Sequence, residues 1–223
     1  MPDLNQLLDT LEVHYGPQAP EWPTDPFTFL VWWHCGYPAS DASCAKGWAA
    51  LTQNFGLEPE ELLAANPTRL ALALKAGGMV PELRAERLKE IAERVQKEFG
   101  GDLAGALRRL PLPKARAALK KFPGIADPGA DRILLFAGVS PIAAVPSNCP
   151  HVLVRIRSGQ EDQNWGKTYR AAQEMVAAEV PAKFDARIRA YLLLKRHGQQ
   201  PCKLAKPKCG ECPVRGSCAY VVG

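Results

Sequence analysis

The chain has 223 residues, 47% of them hydrophobic and 23% charged, with a net charge of +5. That length buries a substantial core, and the balance of apolar and charged residues excludes a disordered or fibrous chain. No apolar run approaches the roughly 18 residues of a membrane span, and the opening Met-Pro-Asp-Leu-Asn lacks the basic-then-apolar order of a secretory signal, so a cytoplasmic protein with no membrane partner is expected.

Apolar residues recur at helical spacing almost throughout, and alternation of period two is scarce. In chain order the pattern predicts helices over Leu4 to His14, Phe27 to Cys35, and Ser40 to Asn54, the last capped by Ser40 and stopped by Gly56. Pro59 to Asn66 and Thr68 to Lys75 follow, the latter stopped by Gly77-Gly78. The clearest helix lies between Pro81 and Phe99, where Leu83, Leu88, Ile91, Ala92, Val95 and Phe99 recur at helical spacing and Gly100-Gly101 ends the run. Leu103 to Leu110, Pro113 to Lys121, Pro128 to Ala137, Pro150 to Ile156, Trp165 to Glu179 and Ala182 to His197, stopped by Gly198, complete an all-α fold with short connections.

Two stretches stand out chemically. From Lys195 to Gly223 there are six basic residues and one acid, while the preceding residues balance at 22 of each sign. A second basic stretch, Arg108 to Ala126, holds Arg108, Arg109, Lys114, Arg116, Lys120 and Lys121 without an acid. Basic surface of this kind suits a phosphate backbone, though an ordinary solvated face has the same composition. The second stretch ends in Phe122-Pro123-Gly124-Ile125-Ala126, a turn between two predicted helices. Backbone amides at such a turn, beside a helix N-terminus, hydrogen-bond a phosphate oxygen without reading a base; a plain tight loop between core helices is the alternative.

The tail carries Cys202, Cys209, Cys212 and Cys218 at the spacing C-x6-C-x2-C-x5-C. Four thiolates so close along the chain can meet on one metal centre, and in a reducing compartment metal binding is favoured over disulfides. Zinc sites more often show two C-x-x-C pairs, and the spacing departs from both ferredoxin patterns. A [4Fe-4S] cluster is expected, with zinc as the alternative. Cys35, Cys44 and Cys149 are dispersed and read as packing residues.

The cysteine spacing resembles that of the endonuclease III family of helix-hairpin-helix DNA glycosylases, and so does much of the rest. Pro26-Phe27-Thr28-Phe29-Leu30-Val31 and then Asp41 resemble its P-F-x-L-L-I and T-D landmarks; Gly78-Met79 with Arg84-Ala85 resembles G-L/Y-x-x-K-A; the turn resembles L-P-G-V-G with Ala126 for the last glycine; Lys206-Pro207-Lys208-Cys209-Gly210 resembles K-P-R-C-G. The resemblance implies a six-helix barrel over residues 23–140 with the hairpin at about 113–137, and a cluster domain made of 1–22 and 141–223. It implies a monomer acting on double-stranded DNA, damaged or abasic, near the nucleoid if the cell is bacterial. DNA contacts fall on Lys120, Lys121, Pro123, Gly124, Ile125 and Ala126 and on Lys203, Lys206 and Lys208.

The family's catalytic positions are not matched. Its lysine, which attacks the sugar and allows strand cleavage, corresponds to Pro128, and its aspartate to Pro146 in Val145-Pro146-Ser147-Asn148-Cys149, a register supported by Val152-Leu153-Val154-Arg155-Ile156. Proline supplies neither a nucleophile nor an ionisable group. The expected function is therefore an endonuclease III-like repair protein with weak or altered N-glycosylase and lyase activity, or a non-catalytic protein that recognises DNA damage. Candidate replacements are Asp127, read as a helix cap, Asp131, read as a solvated helix residue, and His151. The glutamine that fills the gap left by a flipped base becomes Pro38, a candidate wedge.

Overall fold

The computed structural model describes residues 3–222, and among them every regular element is helical. No helix there is long and apolar enough to cross a membrane. The chain divides into two compact units, Glu21–Ile125 and Met1–Pro20 with Ala126–Gly223. Helix α1 (Leu4–Tyr15) belongs to the second.

The unit Glu21–Ile125 holds α2 (Pro26–His34), α3 (Asp41–Asn54), α4 (Pro59–Ala64), α5 (Pro67–Leu74), α6 (Pro81–Phe99), α7 (Leu103–Arg109) and α8 (Leu112–Leu119). Side-chain caps set the helix starts: Ser40 Oγ accepts from the Ser43 amide as expected, and Asp25 does the same for Thr28. Asn66 does not end α4. Its side chain accepts from the Thr68 and Arg69 amides and opens α5, so α4 stops at Ala64. Nor does Gly56 stop α3, because Phe55 is already extended at φ −140°. Helix α6 buries Leu88, Ile91, Ala92 and Val95 on one face, and packs on α5, α4 and α2.

One charged residue is part of this core. Arg84 on α6 is 1% exposed, and its guanidinium donates to the carbonyls of Leu74 (2.9 Å), Gly78 (2.6 Å), Met79 (3.0 Å) and Cys35. It thereby satisfies carbonyls at the C-terminal ends of α2 and α5, which the helices cannot satisfy themselves.

The second unit holds α1, α9 (Asp127–Phe136), α10 (His151–Ser158), α11 (Trp165–Glu179), α12 (Phe184–Gln199) and the short α13 (Ala219–Val222). Leu4, Leu7, Leu8 and Leu11 of α1 enter its core beside Val152 and Ile156 of α10 and Leu193 and Leu194 of α12. Helix α9 falls in this unit through its packing against α12, where Phe136 meets Tyr191 edge to face at 5.1 Å. Helix α12 runs through Gly198 instead of stopping there. A Cβ at Gly198 would lie 2.4 Å from Cys149 Cβ and 2.7 Å from its Sγ, so this glycine serves close packing. Cys35, Cys44 and Cys149 are all buried, as packing residues should be.

Candidate thiolate centre and nucleic-acid interface

The four tail cysteines are brought together without a regular element of any length. After α12 the backbone turns back, the Cys202 amide donating to the His197 carbonyl, and two short 3-10 turns, Cys209–Glu211 and Arg215–Ser217, place the remaining three. All four line one small cavity of about 20 Å³, shared with His197 and Arg155. Burial pushes the Cys202 thiol up to about 11, against the opposing pull of Arg155, and raises Cys212 and Cys218 as well. Bare thiolates are thus disfavoured here, and a cationic centre would offset that cost. Among the described residues, no group of three or more His, Cys, Asp or Glu side chains is arranged to hold a metal ion.

Two residues of α10 hold the cysteine loop. His151 is buried and its Nε2–H donates to the Cys202 carbonyl at 2.8 Å. Arg155 donates to the Lys203 carbonyl at 2.9 Å and the Leu204 carbonyl at 3.0 Å, pairs with Glu161, and lies 4.9 Å from the Tyr220 ring. Lys203, Lys206 and Lys208 are exposed on the loop so anchored, Lys208 pairing with Glu211 at 3.2 Å. Arg155 was legible only as a register landmark, because a guanidinium that binds carbonyls leaves no partner residue in the sequence.

The hairpin turn follows α8. Ile125 donates back to the Phe122 carbonyl at 3.2 Å, Gly124 takes φ +70°, and Phe122 and Ile125 are buried while Gly124 and Ala126 are exposed. Among the described residues, the Gly124 and Ala126 amides donate to no protein group. The turn rests on the C-terminal end of α2: a Cβ at Gly124 would lie 3.2 Å from the Tyr37 ring and 3.6 Å from His34 Nε2. His34 is fully buried, donates through Nδ1 to the Leu30 carbonyl at 2.8 Å, and burial pushes its pKa down to about 4. Tyr37 stacks on Trp33 at 4.8 Å, and Pro38 beside it is exposed. Lys120 and Lys121 are exposed, and Lys121 lies 3.7 Å from Glu98.

At the N-terminus of α9, Ala126 is the cap residue and Asp127 is already helical, which corrects its reading as a cap. Its charge still favours the first turn. Pro128 follows, half-buried. Asp131 is fully buried rather than solvated, because Gln173 Nε2 donates to its Oδ2 at 2.9 Å and the Tyr169 hydroxyl does so at 3.4 Å. Pro146 is buried in the segment before α10, and Trp165 donates to the neighbouring Ser147 carbonyl at 3.2 Å while stacking on Tyr169.

Comparison with known proteins agrees with this architecture. Endonuclease III of Escherichia coli strain K12 is 25% identical over 197 residues, 88% of this chain and 85% of that protein. Thymine-DNA glycosylase of Aeropyrum pernix is 27% identical over 213 residues, 86% of this chain and 92% of its own. Among solved structures, a non-covalent Endonuclease III-DNA complex superposes with a TM-score of 0.75 at 18% identity, over 98% of this chain and 95% of that one. A thermostable thymine-DNA glycosylase gives 0.76 at 22% identity, over 98% and 96%. The chain is a divergent relative of the endonuclease III family. No family model matches it.

Proposed function

We propose that this protein is a base-excision-repair protein of the glycosylase type that binds damaged double-stranded DNA as a cytoplasmic or nucleoid-associated monomer. The observation that carries the reading is the hairpin turn, where Gly124 and Ala126 are exposed, their amides donate to no protein group among the described residues, and a helix N-terminus follows. Lys120 and Lys121 beside it, and Lys203, Lys206 and Lys208 on the cysteine loop, add cations for phosphates. Pro38 is the candidate wedge on an exposed loop. The functional division is a six-helix barrel over residues 23–140 and a cluster domain made of 1–22 and 141–223. Cys202, Cys209, Cys212 and Cys218 hold a [4Fe-4S] cluster rather than zinc, supported by one shared cavity lined by four sulfurs. When bound, the cluster pins the basic loop in place.

Pro128 and Pro146 stand where the family's amine and carboxylate are expected, so weak or altered glycosylase and lyase activity follows. Asp131 and His151 are buried in hydrogen bonds, and Asp127, half-buried in the first turn of α9, is the carboxylate placed nearest the hairpin turn for a water-activating glycosylase step. The second reading, damage recognition without catalysis, is favoured by the same enclosure of Asp131 and His151.

Duplexes carrying an oxidised pyrimidine, a uracil or thymine opposite guanine, an alkylated purine or an abasic site test this, with binding, base release, nicking and borohydride trapping measured for each. The expected result is tighter binding to at least one damaged duplex without trapping, and base release, where found, that is lost in Asp127→Asn. Efficient trapping of the unaltered protein, or equal affinity for damaged and undamaged duplex, refutes the proposal. Replacing Lys203, Lys206 and Lys208 by alanine should flatten the salt dependence of binding.

A further inference from the structure

His197 is a fully buried polar side chain whose two ring nitrogens both face protein groups. Nδ1 lies 2.9 Å from the Tyr15 hydroxyl, and Nε2 lies 3.6 Å from the Cys212 sulfur. Water does not reach this ring, so its hydrogen bonding is settled by those two neighbours alone. A neutral imidazole has one donor and one acceptor nitrogen, and a metal-bound thiolate sulfur only accepts. With Cys212 as a ligand, the proton therefore sits on Nε2 and points at the sulfur. Nδ1 is then the acceptor, and the Tyr15 O–H donates to it. The Tyr15 hydroxyl, by donating to Nδ1, supports the tautomer in which His197 donates to sulfur.

The surrounding helices hold this line in place. Tyr15 ends α1 and His197 lies in the last turns of α12, two helices that pack on each other within one unit. The two rings also meet edge to face at 6.0 Å. Neither aromatic partner belongs to the cysteine motif, and the two residues are far apart along the chain.

We propose that Tyr15 and His197 form a hydrogen-bond relay to the Cys212 sulfur that sets the reduction potential and the lifetime of the cluster, a role that rests on the [4Fe-4S] reading above. A donor to a ligating sulfur draws electron density from it and favours the reduced, more negative state of the cluster, which raises the potential. Removing the donor lowers it and weakens the ligand's hold. Tyr15 acts through His197, so it is a positioning residue. Tyr15 also lines an open groove with Lys203 and Lys208.

The test uses the full-length protein, purified without oxygen, with iron and sulfide determined first and the one-electron potential measured by voltammetry. Tyr15→Phe, which keeps the ring packing, and His197→Leu are expected to shift the potential to more negative values. Iron release to a chelator is expected to rise roughly 10- to 100-fold in His197→Leu. His197→Gln, whose amide can donate from a similar position, should hold the potential nearer that of the unaltered protein. Identical potentials in the iron-loaded unaltered protein and Tyr15→Phe overturn the relay, even if melting temperatures differ, and this variant decides alone if His197→Leu does not fold. Unaltered protein that contains zinc or no metal, and no sulfide, overturns the cluster reading and the relay with it.

Discussion

Replacing Arg84 by methionine keeps most of the apolar stem of the side chain and removes the guanidinium that serves four carbonyls. The bonds to the Leu74 and Cys35 carbonyls are buried, whereas those to Gly78 and Met79 are partly open to water. Leaving a buried acceptor unsatisfied costs about 1–3 kcal/mol, so the two enclosed carbonyls together set a loss of about 4 kcal/mol. With a urea slope of about 2.5 kcal/mol/M, the unfolding midpoint should fall by roughly 1.5 M without a change in slope. Arg84→Lys keeps a charge and three donors but loses the planar fork, and about half of the effect is expected. Urea titration followed by far-UV circular dichroism measures both variants. A midpoint for Arg84→Met within roughly 0.4 M of the unaltered protein, at the same slope, would refute the assignment of Arg84 as the tie between the ends of α2 and α5.

The neutral burial of His34 makes stability depend on pH. Its folded pKa of about 4 lies below the unfolded value, so the unfolded chain takes up a proton that the native state refuses. Its contribution is complete above about pH 6.5, declines by up to about 3 kcal/mol as pH falls to 4, and levels below that; His34→Gln should show a shallower decline in denaturant titrations over this window. Gly124→Ala places a side chain at φ +70° and 3.2 Å from the Tyr37 ring, so a loss of about 1 kcal/mol in thermal stability and weaker DNA binding in gel-shift titration are expected. Gly198→Ala forces a Cβ against Cys149 and should cost about 1–3 kcal/mol by chemical denaturation, with an unchanged fold by circular dichroism.

The sequence by itself determined most of the helices and marked the four tail cysteines. Period 3.6 with caps and stops placed α6 and α11 at their observed ends, because an amphipathic helix and its terminators are local properties. The cysteine spacing announced a common site, and the structure gathers all four around one cavity. What only the tertiary structure decided is how the polar groups are satisfied. Asp131 reads as a surface carboxylate until Tyr169 and Gln173 from α11 cover it, and Gly198 reads as a stop until Cys149 is found against it. Arg84 and Arg155 bind backbone carbonyls, and His197 joins α1 to a cysteine. Hydrogen bonds to carbonyls and between distant helices have no period and no partner motif, so they become visible only when the chain is folded.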